Sequence, residues 1–295
     1  MDPKVARIIR DIKSVSIQGA REVAKAGLRA AEITAKKSRA KTAKAFVSEL
    51  EKIAIKVSRT RPTEPGLKYM LSQILLKVKG FETEDVKKLK SSALRIIDDL
   101  LDELESELER IAENGAKLIK SGDVVMTHCH SHSVVAIFRK AKAQGKKFKV
   151  IVTETRPLYQ GIKTAKDLLS SKIPVIYCED SAIGHFMKIV TKVLVGCDAI
   201  LPNGAVVNKI GTFPMALVAK HFGRGVYVAG GTIKITPEIR IEFREAEEII
   251  APNKLPGAKI INPAFDVTPP EFIDQIITEK GSVRPEMIEK FSVKL

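Results

Sequence analysis

The sequence predicts an α/β protein that begins with a helical domain and continues into a doubly wound parallel sheet. Two observations lead to this prediction. Residues 1–119 place apolar side chains at the three- and four-residue spacing of helices. From Gly122 onward, short β-rich runs alternate with helical stretches, which is typical of parallel strands joined by helices. We therefore expect a helical domain over residues 1–119 and a Rossmann-like α/β domain over residues 120–295.

The N-terminal domain should contain five helices. The first four begin at Asp2, at Gln18, near Thr42 and near Pro65. Asp before Pro is typical of a helix start, because Asp caps the exposed amides and Pro fits the first turn. Before the fourth helix, Arg61-Pro62 breaks the pattern, since the residue before Pro avoids the helical region.

The fifth helix, over residues 83–119, carries the strongest periodic signal. Its apolar residues recur at spacings of three and four, namely Leu94, Ile97, Leu101, Leu104, Leu108 and Ile111. The opposite face is acidic. The pattern predicts a bundle helix or a dimer contact, and we expect a homo-oligomer to which this helix contributes contacts.

Strands are predicted in the second domain at residues 123–128, 149–154, 174–178, 193–200 and 225–230. Helices are expected between them, near residues 132–144, 160–171, 181–190 and 212–222. Ligands of such sheets bind beyond the carboxyl ends of the strands. That edge should hold Cys129, Glu154 to Arg156, Asp180 and Asp198.

A last helix is predicted near the C-terminus. Thr268-Pro269-Pro270-Glu271 is a capping box with Pro at the first helical position, and Phe272, Ile273 and Ile276 follow.

The composition is that of a charged cytoplasmic protein. The 295 residues are 44% hydrophobic and 29% charged, with a formal net charge of +15. The basic residues are dispersed and lack aromatic interleaving, which disfavours nucleic acid and leaves a few cations for a phosphate-bearing ligand. The three cysteines lack paired spacing, which indicates reduced thiols. No apolar run approaches the ~18 residues of a membrane span, which indicates no membrane partner.

The first candidate site is the stretch from Val195 to Thr212. In this stretch, Asp198 lies at the end of a predicted buried strand, and Asn208 and Lys209 lie just before a helix start. Backbone amides at a helix start favour an anion, so an acid, an amide and a cation here indicate a phosphorylated small molecule. The alternative is a tight strand-turn-strand in which Asp and Asn only form the turn.

The second candidate is the strand-to-helix turn THCHSHS at residues 127–133. A metal site is disfavoured, because alternate residues leaving a strand point to opposite sides. Ser131 or Ser133 should cap the next helix, whose amides attract phosphate. The positive field of these helix-start amides, together with nearby cations, should lower the pKa of the Cys129 thiol and make it a competent base or nucleophile. The alternative is a buried cysteine in a capped turn.

Three further cations are candidates. Arg61, in its Arg-Pro break, and Lys234, after the last predicted strand, are candidate phosphate ligands. Arg156 could bind phosphate through a bidentate fork or pair with Glu154 or Asp180 to hold its loop, and the structural role is favoured.

Several motifs, in this order, resemble one known family. They are Gln18-Gly19-Ala20, Thr60-Arg61-Pro62-Thr63, THCHS at 127–131, TETRPLYQG at 153–161, NGAVVNKIGT at 203–212 and NPAFDVTPP at 262–270. The family unites methylthioribose-1-phosphate isomerase, archaeal ribose-1,5-bisphosphate isomerase and the regulatory subunits of initiation factor 2B. The resemblance covers nearly the whole chain and is closest to the archaeal isomerases.

The resemblance implies a cofactor-free aldose–ketose isomerase, active in AMP catabolism feeding RuBisCO and assembled as a dimer or hexamer. It implies that Cys129 and Asp198 are the catalytic pair. The substrate-binding residues it implies are Gln18, Gly19, Ala20, Arg21, Arg61, Ser131, His132, Ser133, Asn208, Lys209 and Lys234. Two departures affect the expected substrate preference. Gln18 stands where relatives have Arg, and Gly231 where they have an acidic residue.

The implied substrate, ribose 1,5-bisphosphate, has its anomeric oxygen blocked by phosphate, so its ring opens only with an acid at the ring oxygen. A protonated Asp198 would suit that step. Hydrogen must then move from C2 to C1 to give ribulose 1,5-bisphosphate. It travels as a proton carried by Cys129, or as a direct hydride shift with Cys129 handling the C2 hydroxyl proton.

Two other functions stay open. A non-catalytic regulatory subunit of the initiation factor 2B type would bind a translation factor, although the joint presence of Cys129 and Asp198 disfavours it. Methylthioribose-1-phosphate isomerase would perform the same chemistry on a substrate with one phosphate and an apolar group.

Overall fold

Five helices form the N-terminal part of the chain, as the sequence predicts. The computed structural model describes residues 1–237 and 239–291. Its first helices are α1 (Pro3–Lys13), α2 (Ala20–Lys37), α3 (Ala43–Ser58), α4 (Pro65–Lys79) and α5 (Val86–Ala116). The carboxylate of Asp2 accepts a hydrogen bond from the Lys4 amide at 2.8 Å, which is the expected cap of α1.

Residues Met1–Ser106 form one compact unit, and a second begins at Glu107, inside α5. In the first unit, fully buried apolar side chains such as Phe46 and Leu67 fill the space between helices. Gly27 lets α2 approach α4, because a Cβ there would stand 2.4 Å from Leu67 Cδ1. A domain boundary between residues 119 and 120 stays a prediction.

The second unit alternates strands and helices, as predicted. In chain order its elements are β1 (Val124–Thr127), α6 (His132–Ala143), β2 (Lys149–Thr153), α7 (Gln160–Ser170), β3 (Val175–Cys178), α8 (Ile183–Phe186), β4 (Lys192–Gly196), β5 (Ala199–Ile200), β6 (Val206–Lys209), α9 (Thr212–His221), β7 (Gly225–Ala229), β8 (Phe265–Thr268), β9 (Gln275–Thr278) and β10 (Gly281–Val283).

Seven of these strands form one sheet, in the order β10-β9-β7-β4-β1-β2-β3. All neighbours are parallel except β10, which runs antiparallel to β9. Along β2, Val150 and Val152 enter one apolar layer and Ile151 enters the other. Both faces are therefore covered, which explains the continuous apolar runs of the strand sequences.

A small antiparallel sheet, in the order β5-β6-β8, branches from the end of β4. The predicted strand over 193–200 is therefore two strands, separated by Cys197 and Asp198. Asn203 and Gly204 form the turn between β5 and β6. The Asn203 side chain accepts the Ala205 amide at 3.0 Å, and Gly204 has a φ of +85°. Asn203 and Gly204 are therefore turn residues.

Two predicted helices differ from the structure. Residues 181–190 contain only one 3₁₀ turn and the four-residue α8. The capping box at 268–271 is followed by a single 3₁₀ turn and then by β9, so the helix predicted there is wrong. Ile276 and Ile277 instead pair with β7 and are fully buried on opposite sides of the sheet. Within the described residues, no helix is long and apolar enough to cross a membrane.

Candidate active site

The loops that follow β1, β2 and β3 are joined by direct hydrogen bonds at the carboxyl edge of the sheet. The Cys129 amide donates to Thr155 Oγ1 at 2.8 Å. The Thr155 amide in turn donates to Asp180 Oδ1 at 2.8 Å, and the Arg156 amide to Asp180 Oδ2 at 2.8 Å. The expected convergence of residues from separate strand ends is thus present.

Cys129 is half-buried and sits among charged groups of both signs. Burial raises the pKa of its thiol to about 11, and the carboxylates of Asp198 and Asp180 act in the same direction. Lys209 acts against them and favours the thiolate. The expectation of a lowered thiol pKa is therefore wrong for the ligand-free protein, because desolvation outweighs the nearby cation. At neutral pH, Cys129 carries its proton.

Asp198 lies where the chain passes from the large sheet to the small one. Its amide donates to the carbonyl of Val207 at 2.8 Å, so β6 fixes its main chain. At the far end of β6, Lys209 Nζ stands 4.9 Å from the centre of the Phe265 ring. Asn208 is buried and donates to Thr212 Oγ1 at 2.9 Å. Asp198 raises and Lys209 lowers the pKa of the Cys129 thiol, so both side chains lie within electrostatic reach of it.

The start of α9 already has an anion of its own. Asp266 Oδ2, from β8, accepts the amides of Gly211 at 2.8 Å and Phe213 at 3.2 Å. Burial raises the pKa of Asp266 to about 6, although these amides favour the carboxylate. Asp266 thus occupies two of the amides at this helix start, and phosphate binding beside Asn208 and Lys209 stays a prediction. Sequence reasoning did not assign Asp266, whose one signal is its place in the stretch NPAFDVTPP.

At the start of α6, Ser131 is the capping residue and accepts the Val134 amide at 3.4 Å. Ser131 also lies against the end of β4, since a Cβ on Gly196 would stand 2.5 Å from its Oγ. His132 and Ser133 are the first two residues of α6. The candidate phosphate turn therefore lies directly beside the strand that leads to Asp198.

The clustered histidines divide into two groups, since the rings of His130 and His132 meet edge to face at 4.8 Å whereas His128 makes separate contacts. His128 is buried, with Nδ1 at 2.6 Å from Thr153 Oγ1 and Nε2 at 2.8 Å from the Ile210 carbonyl. His130 instead reaches Thr164 in α7. Burial lowers the pKa of both imidazoles, that of His130 to about 3, so both are neutral near pH 7. Within the described residues, no group of three or more His, Cys, Asp or Glu side chains is placed to hold a metal ion.

Lys234 reaches the same edge from the loop after β7. Its side chain is buried, and Nζ donates to the carbonyl of Cys197 at 2.6 Å, one residue before Asp198. Gly230 permits this approach, because a Cβ there would stand 2.2 Å from Cys197 Sγ. Lys234 thus places a cation one residue from Asp198, and Lys209 places one within electrostatic reach of Cys129.

Arg156 is engaged in its own loop. Its guanidinium lies 5.1 Å from the centre of the Tyr159 ring and donates to the Tyr159 hydroxyl. It also donates to the carbonyl of Ile249 at 3.4 Å. Arg156 thus has a structural role, but its guanidinium bonds to Tyr159 and Ile249 and not to the predicted Glu154 or Asp180, and only its main-chain amide reaches Asp180.

The remaining candidates belong to the helical unit. Gly19 precedes α2 with a φ of +87°, and Ala20 is its buried first residue. Arg21 pairs with Glu105 at 2.8 Å and donates to the carbonyl of Leu104. The amide oxygen of Gln18 is buried without a hydrogen-bond partner.

Arg61 is buried in the turn between α3 and α4. Its Nη2 donates to the buried Glu64 at 3.2 Å. A role of Arg61 and the α2 start in binding the same ligand as Cys129 stays a prediction.

Comparison with known proteins identifies relatives over nearly the whole chain. The model of the initiation factor 2 subunit family matches residues 16–285. The ribose 1,5-bisphosphate isomerases of Pyrococcus furiosus and Thermococcus kodakarensis are 42% and 41% identical, over 96% of this chain and 91% of each relative. The crystal structure of Pyrococcus horikoshii OT3 translation initiation factor eIF-2B superposes with a TM-score of 0.83 at 32% identity, covering 97% of this chain and 98% of that chain.

Proposed function

This chain belongs to the initiation factor 2 subunit family, and from this premise we propose that it is an aldose–ketose isomerase. Its reaction converts ribose 1,5-bisphosphate to ribulose 1,5-bisphosphate. The observation that carries the proposal is full-length similarity to two proteins named for this activity. The Cys129–Asp198 pair at the edge of the sheet supports it, because the reaction needs groups that move protons at two neighbouring centres.

Asp198 supplies the acid in this proposal. Its proton passes to the ring oxygen as the bond from C1 to that oxygen breaks, which leaves an electron-deficient C1 that still bears phosphate. Cys129 then takes the proton from C2, and the electrons of that bond form a C1–C2 enol phosphate. Protonation of C1, with loss of the C2 hydroxyl proton, gives the ketone and restores both groups.

The ligand-free thiol is a poor base, because its pKa is raised to about 11. Lys209 and the main-chain amide of His130 oppose this rise, so they stabilise the thiolate that the reaction requires. Lys209 has a second task in the proposal, since it and Lys234 attract the phosphates. The Ser131 to Ser133 turn is a further proposed phosphate contact, and a role of Arg61 and the α2 start in binding phosphate stays a prediction.

The test is a substrate panel with product identification by phosphorus and carbon NMR. Ribose 1,5-bisphosphate should turn over to ribulose 1,5-bisphosphate, and methylthioribose 1-phosphate should turn over far less efficiently. Run in D₂O, the product should carry deuterium at C1, because a proton held by Cys129 exchanges with solvent. Turnover without deuterium would replace the proton transfer by a hydride shift.

A second function is favoured by one observation, the similarity to a structure named translation initiation factor eIF-2B. A regulatory subunit would bind a sugar or nucleotide phosphate without converting it. Binding of ribose 1,5-bisphosphate in calorimetry together with no product in the NMR assay would favour this function over the isomerase.

The proposal includes a cytoplasmic homo-oligomer. Along α5, the buried seam of Ile97, Leu104 and Ile111 is flanked by a half-buried stripe of Leu94, Leu101 and Leu108. The seven-residue spacing of this stripe suits a contact with another helix. A monomer in light scattering at micromolar concentration would contradict an oligomer, and Leu101→Glu should shift the mass if this stripe forms the contact.

A further inference from the structure

The main chain of Cys129 has a conformation that residues other than glycine rarely adopt. Its φ is +65°, in the left-handed region, where the side chain is crowded against its own backbone. Such a residue keeps this conformation only where the surroundings enforce it. The contacts of its amide and carbonyl are therefore informative.

Two buried threonine hydroxyls bind these main-chain groups. The Cys129 amide donates to Thr155 Oγ1 at 2.8 Å, and Thr164 Oγ1 donates to the Cys129 carbonyl at 2.8 Å. Both threonines are at most 1% exposed, so water does not compete for these bonds. One hydroxyl comes from the loop after β2 and the other from α7, and together they hold Cys129 from both sides.

Thr155 is itself held in a fixed orientation. Its amide donates to Asp180 Oδ1 at 2.8 Å, and its own φ is +63°. Its hydroxyl hydrogen is directed to the carbonyl of Thr153 at 3.3 Å. A hydroxyl has one hydrogen and two lone pairs, so the oxygen is left to accept the Cys129 amide. The acceptor is thus oriented before any ligand binds.

Thr164 is oriented by the same logic. Its single hydroxyl hydrogen goes to Cys129, so the contact with His130 Nδ1 at 3.1 Å requires the imidazole to donate. The neutral ring of His130 can do so with its one N–H on Nδ1. Gly161 allows α7 to begin close to the end of β2, since a Cβ there would stand 1.9 Å from the Thr153 carbonyl oxygen.

We infer that Thr155 and Thr164 are positioning residues that clamp the Cys129 main chain and so direct its thiol at the substrate. Their role in turnover rests on the proposed isomerase function, whereas their effect on the thiol does not. Serine keeps the hydroxyl and should keep the clamp. Valine has nearly the same shape as threonine but cannot bind either main-chain group, so it should release Cys129.

The experiment compares Thr155→Val, Thr155→Ser, Thr164→Val and Thr164→Ser in the full chain. Thr34→Val is the matched control, because the Thr34 hydroxyl donates only within α2, to the Ala30 carbonyl at 2.8 Å. Circular dichroism and thermal melting establish that each variant is folded. Two readouts follow for folded variants: kcat and KM for ribose 1,5-bisphosphate, and the pH dependence of Cys129 alkylation by iodoacetamide, measured on the Cys129 peptide by mass spectrometry.

Each valine variant should lower kcat by about 10- to 100-fold, the usual effect of a small misplacement of a reacting group. KM should change by less than about threefold, since the phosphates are held elsewhere. The alkylation midpoint should shift by at least about half a pH unit, because a released thiol leaves the environment that sets its pKa. The serine variants should restore both quantities, and Thr34→Val should leave both as in the wild type.

Folded valine variants with wild-type kcat and alkylation would overturn the inference. If a valine variant does not fold, the inference is tested by the serine variant at that position and by the valine variant at the other position. Loss of turnover in Thr164→Ser, for example, would exclude a hydroxyl clamp. A wild-type chain without isomerase activity would overturn the proposed function instead. The alkylation profiles would then still decide whether the clamp sets the state of Cys129.

Discussion

The carboxylate of Asp266 accepts a 2.8 Å hydrogen bond from the amide of Gly211, and so ties β8 to the start of α9. The pKa of Asp266, about 6, is above its ordinary value of 3.8, so the folded state binds the proton more tightly than the unfolded chain. Asp266 therefore stabilises the fold fully below pH 3.8, the pKa of its carboxyl in the unfolded chain. This stabilisation is lost as the pH rises through about 6, its pKa in the folded protein.

Asp266→Asn should remove this pH dependence, because the amide oxygen can still accept from Gly211 and has no charge to bury. Relative to the wild type, the variant should gain stability between pH 4.5 and 7.5, on the order of 2 kcal/mol. Urea denaturation of both proteins at the two pH values measures this difference. If the difference in unfolding free energy between the two proteins were the same at both pH values, Asp266 would not titrate in this range.

Cys129→Ser and Asp198→Asn should each lower kcat by roughly 10²- to 10⁴-fold, the usual range for general acid–base groups. KM should change far less. The double variant should be little worse than the worse single variant, because groups that act as a unit are not additive. Steady-state kinetics on folded protein measure these values. Near-wild-type kcat in Cys129→Ser would contradict the proposed proton transfer by the Cys129 thiol.

Lys209→Met should raise the pKa of Cys129 further, because Lys209 is the side chain that lowers it. Alkylation of ligand-free Cys129 should therefore move to higher pH in the variant. Alkylation of the unsubstituted protein should increase with pH across pH 7 to 9, since the thiolate fraction increases with pH below the thiol pKa of about 11. Lys220→Met serves as control, because its Nζ lies near Glu271 and the Phe272 ring. An unchanged alkylation profile in Lys209→Met would contradict the pairing.

Gly161→Ala should lower the free energy of unfolding by at least about 2 kcal/mol, since the new methyl meets the main chain of Thr153, which cannot yield as a side chain does. Gly184→Ala is the matched control, because its Cβ would have no atom within 4 Å. That variant should be neutral or slightly stabilised. Thermal melting of the two proteins compares the effects, and equal melting temperatures would contradict the close approach.

Arg61→Ala should raise KM strongly if the guanidinium binds phosphate. It should also destabilise the helical unit, because it leaves the buried carboxylate of Glu64 without this ion pair. Glu64→Gln separates the two effects, since it breaks the pair but keeps the guanidinium. If KM increases in Arg61→Ala but not in Glu64→Gln, Arg61 binds the phosphate. If KM is unchanged in Arg61→Ala, Arg61 only stabilises the turn through its ion pair with Glu64.

Much of the fold could be predicted because its signals are local. Asp2 and Ser131 cap helices through atoms within three residues of them, and the helix from Pro65 begins at the predicted residue. The helix predicted near the C-terminus was wrong because the decisive contact there is not local. The capping box at 268–271 indicates a helix, but Ile276 gains more from pairing with Val228 in the buried sheet, a contact invisible to a local pattern.

The candidate site shows the same division. Cys129 and Asp198 could be predicted to lie at the edge where ligands bind because each follows a strand, and the family resemblance implies that they act as a pair. The charge state of the thiol could not, since it is a balance of burial against Lys209, Asp198 and Asp180 that depends on the folded structure. Asp266 was missed because its partner Gly211 lies 55 residues earlier in the chain.

The main chain at both proposed catalytic positions is fixed by hydrogen bonds that do not involve the catalytic side chain. Cys129 is held through its amide and carbonyl, and Asp198 through its amide to Val207. Evolution can therefore exchange the thiol or the carboxylate without rebuilding the scaffold. The same main-chain contacts would therefore support a site that binds its ligand without turnover after substitution of only these two side chains.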